Sequence, residues 1–437
     1  MHQRTLSHTV LATLLLVILG GVVIHAPLSV FFGSIWPEYA LYIKAWKEVL
    51  LGVAAVVATY VATQSKLWPV LLRDRLLQLM VVYVALHATL LLVFWTGWQA
   101  TVAGLLIDLR FIGYFMAVYI LLRVAPGWRR PFIVTAIAGA AVVIGFGVLQ
   151  LFLPHDILRH IGYDKQTTIA PYLTVDRNYD FIRINSTLRG PNPLGAYAAI
   201  VLAAIAAAMA TGVLYLRSKK QLALTVAGSI AALAVLWVSY SRSALGGALI
   251  AVGLVGLIAY GKLIHRYVWI SLIALMVITG GLFYVARDTD FVSIVILHED
   301  PNEGGQVNSN DGHLESFMEG LDRMLRQPLG AGVGSTGSAS LLSDDSIIIE
   351  NHYLFVAHEV GWLGLVLFIG INGVVLWRLW LRRSDWLALG LLGSGLGIAA
   401  IGMLLPVWVD DTIALVWWGM AAVALAAPVR TVHKETA

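Results

Sequence analysis

The chain has no cysteine and little charge. Among its 437 residues, Asp, Glu, Lys and Arg make up only 12%. The missing thiols exclude disulfides and thiolate nucleophiles, and with them any reading of redox compartment from cysteine usage. Soluble domains carry about 25% charged residues, so a chain with half that share is no ordinary soluble domain. Nor is there low-complexity sequence or an internal repeat. The two halves lack matched broken helices, which weighs against an inverted-repeat architecture.

What fills the chain instead is apolar. Hydrophobic side chains make up 59%, and the mean hydropathy is +0.82. They come in blocks of roughly 20 residues, the length that crosses a bilayer as a helix. Twelve such spans are expected, near 9–28, 45–63, 76–95, 102–122, 131–152, 193–214, 221–240, 243–261, 267–286, 354–376, 386–407 and 411–429. Met1-His2-Gln3-Arg4 ahead of the first block looks like a signal n-region. No small-residue cleavage site follows, so that block is expected to stay as the first helix.

Basic residues set the orientation. Lys66, Arg73 and Arg75; Arg123, Arg129 and Arg130; Arg217, Lys219 and Lys220; Lys262 and Arg266; Arg378, Arg382 and Arg383; and Arg430 with Lys434 all fall on one side of twelve alternating spans. By the positive-inside rule that side is cytoplasmic, with both termini. Two long connections, 153–192 and 287–353, then lie outside, and loops of that length are commonly functional. The expected fold is an all-α polytopic membrane protein forming one domain over 1–437.

The second long loop carries the densest pattern. Leu314, Phe317, Met318, Leu321, Met324 and Leu325 recur at helical spacing and predict an amphipathic helix over 312–327, ended by Pro328. The glycine-rich run Gly330 to Ser335 suits neither helix nor strand. Glu350-Asn351-His352-Tyr353 follows at the mouth of an apolar span containing His358, Glu359, Gly361 and Gly364. Histidine exchanges a proton near neutral pH, and an enclosed carboxylate can do the same. Glu350, His352 and His313 are therefore candidate general bases, with His358 and Glu359 behind them. His298-Glu299-Asp300 lacks a second ligand pair at helical spacing, so no structural metal site is read there.

Several cations depart from the inside rule: Arg110 within the fourth span, Arg183 and Arg189 before the sixth, Arg242 between the seventh and eighth, and Arg287 after the ninth. A cation against hydrocarbon costs a few kcal/mol and usually has a partner or a task. Arg110 could pair with an acid such as Asp108. Lys44 and Lys47, beside Glu48, could snorkel to the interface. Gathered at one depth, arginines would instead grip an anionic headgroup, because the guanidinium fork matches phosphate oxygens. The run Gly190-Pro191-Asn192-Pro193 turns into a helix start, which adds backbone N–H groups to the same task.

Four blocks together resemble the O-antigen ligase and polymerase superfamily of membrane glycosyltransferases. They are Arg183 to Tyr197, Ser239 to Leu245, Asp311 to Gly334 ending in Pro-Leu-Gly-x-Gly, and Glu350 to Gly364 with its Asn-x-Tyr-Leu…Glu-x-Gly-x-x-Gly pattern. The resemblance implies a lipid-linked-donor (GT-C-like) architecture and a metal-independent enzyme without cofactors. Such an enzyme takes a glycan from undecaprenyl diphosphate at the outer face of the bacterial inner membrane. Ligases pass the glycan to lipid A-core; polymerases pass it to another repeat unit. Arg183, Arg189, Arg242 and Arg110 would hold the diphosphate, Glu350, His352 or His313 would act as base, and Asn192, Asn351 and Tyr353 would serve the acceptor or the scaffold. Membrane lipid is a further expected partner and nucleic acid is not. Two positions depart from the family pattern: His313 stands where an arginine is usual, and Glu350 where ligases have histidine. The second departure adds weight to the polymerase branch. A twelve-span transporter or flippase is the rival from another class. It would place ionisable groups near mid-membrane, whereas the sequence puts most of them outside.

Overall fold

A computed structural model describes residues 6–175, 178–214, 218–262, 309–343 and 346–426, with isolated positions 278, 281, 284, 285 and 289. The expected span 267–286, most of the loop before Ser309, Arg217, Arg266, Arg287, the triplet His298-Glu299-Asp300, Arg430 and Lys434 lie outside the described residues.

The protein is an all-α polytopic membrane bundle. Among the described residues eight helices are long and apolar enough to cross a membrane, and three shorter apolar helices join them. In chain order the longer helices are α1 (Leu6–Gly21), α2 (His25–Ile35), α3 (Trp46–Gln64), α4 (Arg75–Leu90), α5 (Trp98–Val124), α6 (Arg129–Gln150), α7 (Pro191–Ala210), α8 (Lys219–Val238), α9 (Arg242–Tyr260), α10 (Ser309–Arg326), α11 (His352–Leu381), α12 (Trp386–Ile401) and α13 (Asp411–Ala426). A 3-10 turn, Val22–Ile24, joins α1 to α2 in one continuous span. Each expected span within the described residues falls on one of these helices.

Caps mark where they begin. The Asp74 side chain accepts from the Leu76 N–H, Ser241 from Ala244, Asn351 from Tyr353 and Leu354, and Asp385 from Leu387. Each occupies an otherwise orphaned donor of a first turn. Pro191 opens α7, where a missing N–H costs nothing.

Helix α13 is the axis: every one of its residues is buried, including Trp417 and Trp418 at 0% exposure. A helix apolar all round belongs in the middle of a bundle. Helix α5 packs most closely on it, and beside them α7, α9 and α12 pack on one another backbone to backbone. A Cβ added at Gly247 would lie 2.9 Å from the Gly397 carbonyl oxygen, and one at Gly393 would lie 2.6 Å from that of Ala251. Small residues allow this approach in place of a hydrophobic drive, which lipid does not supply.

The bundle's two ends differ. At one, the basic end, Arg129 reaches Asp385 at 2.6 Å and Arg378 reaches Asp74 at 2.6 and 2.9 Å. At the other, the helices stop at unequal depths. Helices α12 and α13, of 16 residues each, are roughly 24 Å long, while α5 with 27 is roughly 40 Å. The connection 402–410 between the short pair is therefore sunk among longer neighbours. A hairpin, β1 (Leu173–Val175) and β2 (Asn178–Arg183), stands at this end. It is a strand element that helical periodicity gave no sign of, although Tyr172 to Val175 and Tyr179 to Ile184 are β-branched and aromatic enough to pair.

The glycine-rich run after α10 enters the bundle as a re-entrant loop. Helix α11 breaks at Val360 and Gly361, the latter at φ +69°, a conformation open to glycine. The break frees backbone groups, and the loop takes them. Trp362 N–H donates to the Pro328 carbonyl at 2.9 Å, while Ala331 and Gly332 N–H donate to the carbonyls of His358 and Glu359 at 2.6 and 3.1 Å. On the other flank the Thr96 hydroxyl donates to the Val333 carbonyl at 2.7 Å. Gly334, at φ +79°, lies so close to Ala100 and Gly104 of α5 that neither glycine could carry a side chain. Irregular backbone survives at membrane depth only when it is satisfied in this way within protein.

Candidate active site

Three groups of residues meet around the sunken connection 402–410. The first is built on two helix starts. Arg183, the last residue of β2, donates through Nε to the Ser239 carbonyl at 2.9 Å and through Nη2 to Asn192 Oδ1 at 2.6 Å. Ser239 lies in the turn before α9, and Asn192 is in the first turn of α7. Arg183 thus pins the two starts together. Tyr240 turns the chain at φ +45°, its ring edge-on to Phe181, and Arg242 opens α9 with its side chain exposed. A Cβ at Gly195 would sit 2.7 Å from that of Ala244, which shows how closely the starts approach. Helix N-termini carry partial positive charge and spare N–H groups. Two of them, with Arg183 and Arg242, form a region suited to an anion. Asn192 is here an orienting partner of Arg183.

The second group lies below the surface, where α2, α3, α5 and the start of α13 converge. Lys47 Nζ is 3.0 Å from Asp411 Oδ2 and 3.2 Å from Glu48 Oε1; His25 Nε2 is 3.2 Å from Asp411 Oδ2. The Trp46 indole N–H donates to His25 Nδ1 at 3.0 Å, which leaves the imidazole proton on the nitrogen facing Asp411. Arg110 donates to the Val409 carbonyl and lies 3.6 Å from Glu48. Lys47 is 5% exposed and Arg110 is 6% exposed, so neither snorkels: both turn inward to carboxylates. The acid that meets Arg110 is Glu48 of α3; Asp108, the partner considered from sequence, lies beside His87 instead, 3.6 Å away. Arg189 is exposed above this network. Its charge and that of Arg110 reach Asp410, whose carboxyl is pushed up to about 6, first by burial and then by the Asp411 charge; the Ile413 N–H and the two arginines pull the other way. The sequence suggested that charge would stay at the rim. Asp108 and Arg110, about three turns into α5, show that it does not.

The third group is the start of α11. Asn351 caps the helix and ties it across the bundle, its amide donating to the Met403 carbonyl at 2.7 Å. His352 N–H donates to the Gly402 carbonyl at 2.8 Å and the Tyr353 hydroxyl to Ala399 at 2.9 Å. Gly402 follows Ile401, which packs on Gly247 of α9. One chain of contacts therefore runs from the Glu350 block to the helix that Arg242 begins. The His352 ring is buried at 4% exposure, stacked on Phe355 and tilted against Phe368. Glu350 stays half-buried at the rim. Of the two candidate bases that adjoin Asn351, the carboxylate is the one that faces outward. His313 falls in the first turns of α10, and its side chain is outside the described residues. Further along α10, the Trp362 indole donates to the Met324 carbonyl at 2.7 Å, and Gly320 meets Leu354 and Ile349, so this helix leans on α11.

Sequence reasoning missed His25 and Asp411, and it did not foresee that Lys47 and Glu359 would be buried. The available signal was an acid or base isolated in an apolar run, which hydrocarbon tolerates only when paired. Among the described residues no three His, Asp or Glu side chains are gathered as metal ligands. The charges available to an anion are those of arginine, lysine and the helix starts.

No curated protein matches the chain. Residues 227–369, which hold Arg242 and both the α10 and α11 blocks, match the family model described as O-antigen ligase.

Proposed function

We propose that the protein transfers a glycan from undecaprenyl diphosphate to an acceptor hydroxyl at the outer face of a bacterial inner membrane. The acceptor in this reading is lipid A-core, as for an O-antigen ligase. The observation that carries it is the pairing of two helix starts, bridged by Arg183 and headed by Arg242, with the half-buried Glu350 reached across the 402–410 connection.

In this mechanism the acceptor oxygen attacks the anomeric carbon of the lipid-linked sugar. The bond from that carbon to the diphosphate oxygen breaks, and its electron pair leaves with the diphosphate. Arg242, Arg183 and Arg189 offset the charge that gathers on the leaving oxygen, aided by the N-termini of α7 and α9. Glu350 takes the hydroxyl proton as the new bond forms. His352, buried among aromatic rings, shapes the wall behind it. Arg110 acts by holding the connection 402–410 through the Val409 carbonyl. Helix α10 covers the acceptor side, with Gly330 as its hinge. Both termini face the cytoplasm, because the paired arginines of the basic end are those that obey the positive-inside rule.

A polymerase, which passes the glycan to another repeat unit, is the second reading. It is favoured by Glu350 at the place where ligases have histidine. Purified protein in liposomes with lipid-linked glycan, supplied with and without lipid A-core, separates the two. Attachment to the core supports the ligase, and longer lipid-linked chains support the polymerase. In either product assay Glu350→Gln is expected to lower kcat by about 100-fold or more; an unchanged kcat would remove Glu350 as the base.

A further inference from the structure

Glu359 has no role in that transfer, yet it is an acid at 1% exposure within an apolar helix. One carboxyl oxygen, Oε1, accepts from the backbone N–H of Gly334 at 3.0 Å and of Thr336 at 3.4 Å. Both donors belong to the re-entrant loop. The other oxygen, Oε2, has no such partner, and neither has Asp108 Oδ2.

The surrounding groups are polar but sparse. On α4, His87 holds its Nδ1 2.9 Å from the Tyr83 carbonyl, so that nitrogen carries hydrogen, and its Nε2 lies 3.6 Å from Asp108 Oδ2. The Tyr83 ring packs on His87. On α11, His352 lies within reach of the Asp108 charge, while His358 turns toward Arg323 and Glu319 of α10. Among the described residues no lysine or arginine is paired with either acid.

The loop that Glu359 holds leads to the proposed base. Gly337 N–H and the Thr336 and Ser340 hydroxyls all donate to the Ile347 carbonyl, at 2.8, 3.0 and 3.0 Å, and Ile347 N–H returns a bond to Ser340 Oγ at 3.1 Å. Ile347 opens the short extended stretch that ends at Glu350. We propose that Glu359 is a positioning residue: its carboxyl latches the loop from Gly330 to Gly337 into the bundle and so sets the place of Glu350. The inference rests on the reading of Glu350 as base, but the latch has its own readout.

The test uses the full-length protein in liposomes, with Glu359→Ala, Glu359→Gln and Asp108→Asn. Glutamine keeps a side-chain oxygen that accepts from both loop N–H groups, which alanine does not. Glu359→Ala is expected to lower kcat by about 100-fold while KM for the lipid-linked glycan moves less than about threefold, since a small displacement of a reacting group has that cost. Its amides over 330–337 and 346–350 exchange with deuterium faster, whereas Glu359→Gln restores both the rate and the protection. Asp108→Asn, which leaves the Gly334 and Thr336 bonds to Glu359 in place, keeps the loop protected. The latch is overturned if Glu359→Gln is as impaired as Glu359→Ala, or if Glu359→Ala leaves the amides protected. Amide exchange gives this answer even in a preparation that transfers no glycan, so failure of the latch and failure of the glycosyltransferase reading are separate results.

Discussion

The two ends of the bundle solve the same problem, arginine and lysine close to hydrocarbon, in opposite ways. At the basic end Arg378 and Arg129 meet Asp74 and Asp385 with their side chains 28% and 33% exposed. Arg382 donates to the Ala424 and Leu425 carbonyls, where a helix C-terminus welcomes a cation. These contacts fasten helix ends to one another in reach of water. At the other end Lys47 and Asp411 are sunk to 5% and 3% exposure, and acids and bases share partners across four helices. Charge that is only fastening can stay wet. Charge carried below the rim costs desolvation, and here it shapes the base of the region where arginines gather.

That difference can be broken by mutation, and Arg242→Ala should do so most severely. Transfer is expected to fall by about 100- to 1,000-fold, as when one transition-state donor is removed, while the protein remains monodisperse in detergent; activity within threefold of the wild type would remove Arg242 from the diphosphate site. Next in size is Asp411→Ala, which removes the carboxylate shared by Lys47 and His25 and should destabilise by about 3–5 kcal/mol. Thermal unfolding in detergent would check this, and adding Lys47→Met should recover much of the loss. At the basic end Arg378→Ala is expected to cost only about 1 kcal/mol by the same measurement, because its pair is within reach of solvent. Equal losses at the two ends would refute the contrast.

The ends should also respond to pH with opposite sign. Asp410 has its carboxyl raised to about 6 by burial and by the Asp411 charge. Its contribution is fully present below the ordinary carboxylate range and is lost as pH rises through about 6. Burial alone would raise Asp74 too, but the hydrogen bond and charge of Arg378, with the Leu76 and Leu77 N–H groups, hold it below its usual value. Its contribution is present above that usual value and is lost as pH falls through the depressed one. Unfolding midpoints measured from pH 4 to 8 should therefore lose the Asp410 slope in Asp410→Asn and keep it in Asp74→Asn.

Much of this arrangement could be read before any coordinates. Apolar blocks locate the helices because a bilayer imposes a length, and Asn351 and Ser241 mark helix starts because a first turn needs acceptors. The cation set was legible too: Arg183, Arg189 and Arg242 break the inside rule, and breaking it is conspicuous. Depth was not legible. Nothing local tells that Lys47, next to a helix start, turns inward to an acid far along the chain. The same holds for Glu350 and His352, two residues apart. The cap Asn351, fixed by its bond to Met403, separates them: Glu350 stays in the connection at the rim, while His352 enters the helix and a nest of aromatic rings. The re-entrant loop was visible as glycines, but its destination depends on the break at Gly361.

The axial place of α13 has a consequence for biogenesis. It is the last of the described helices to leave the ribosome, and every side chain it carries is enclosed by helices made earlier. Those earlier helices must wait around an unfilled centre until it arrives. A chain interrupted before Asp411 would reach the membrane with the other described helices inserted and its interior still open to lipid. Quality control in the membrane would then find a bundle that had never closed.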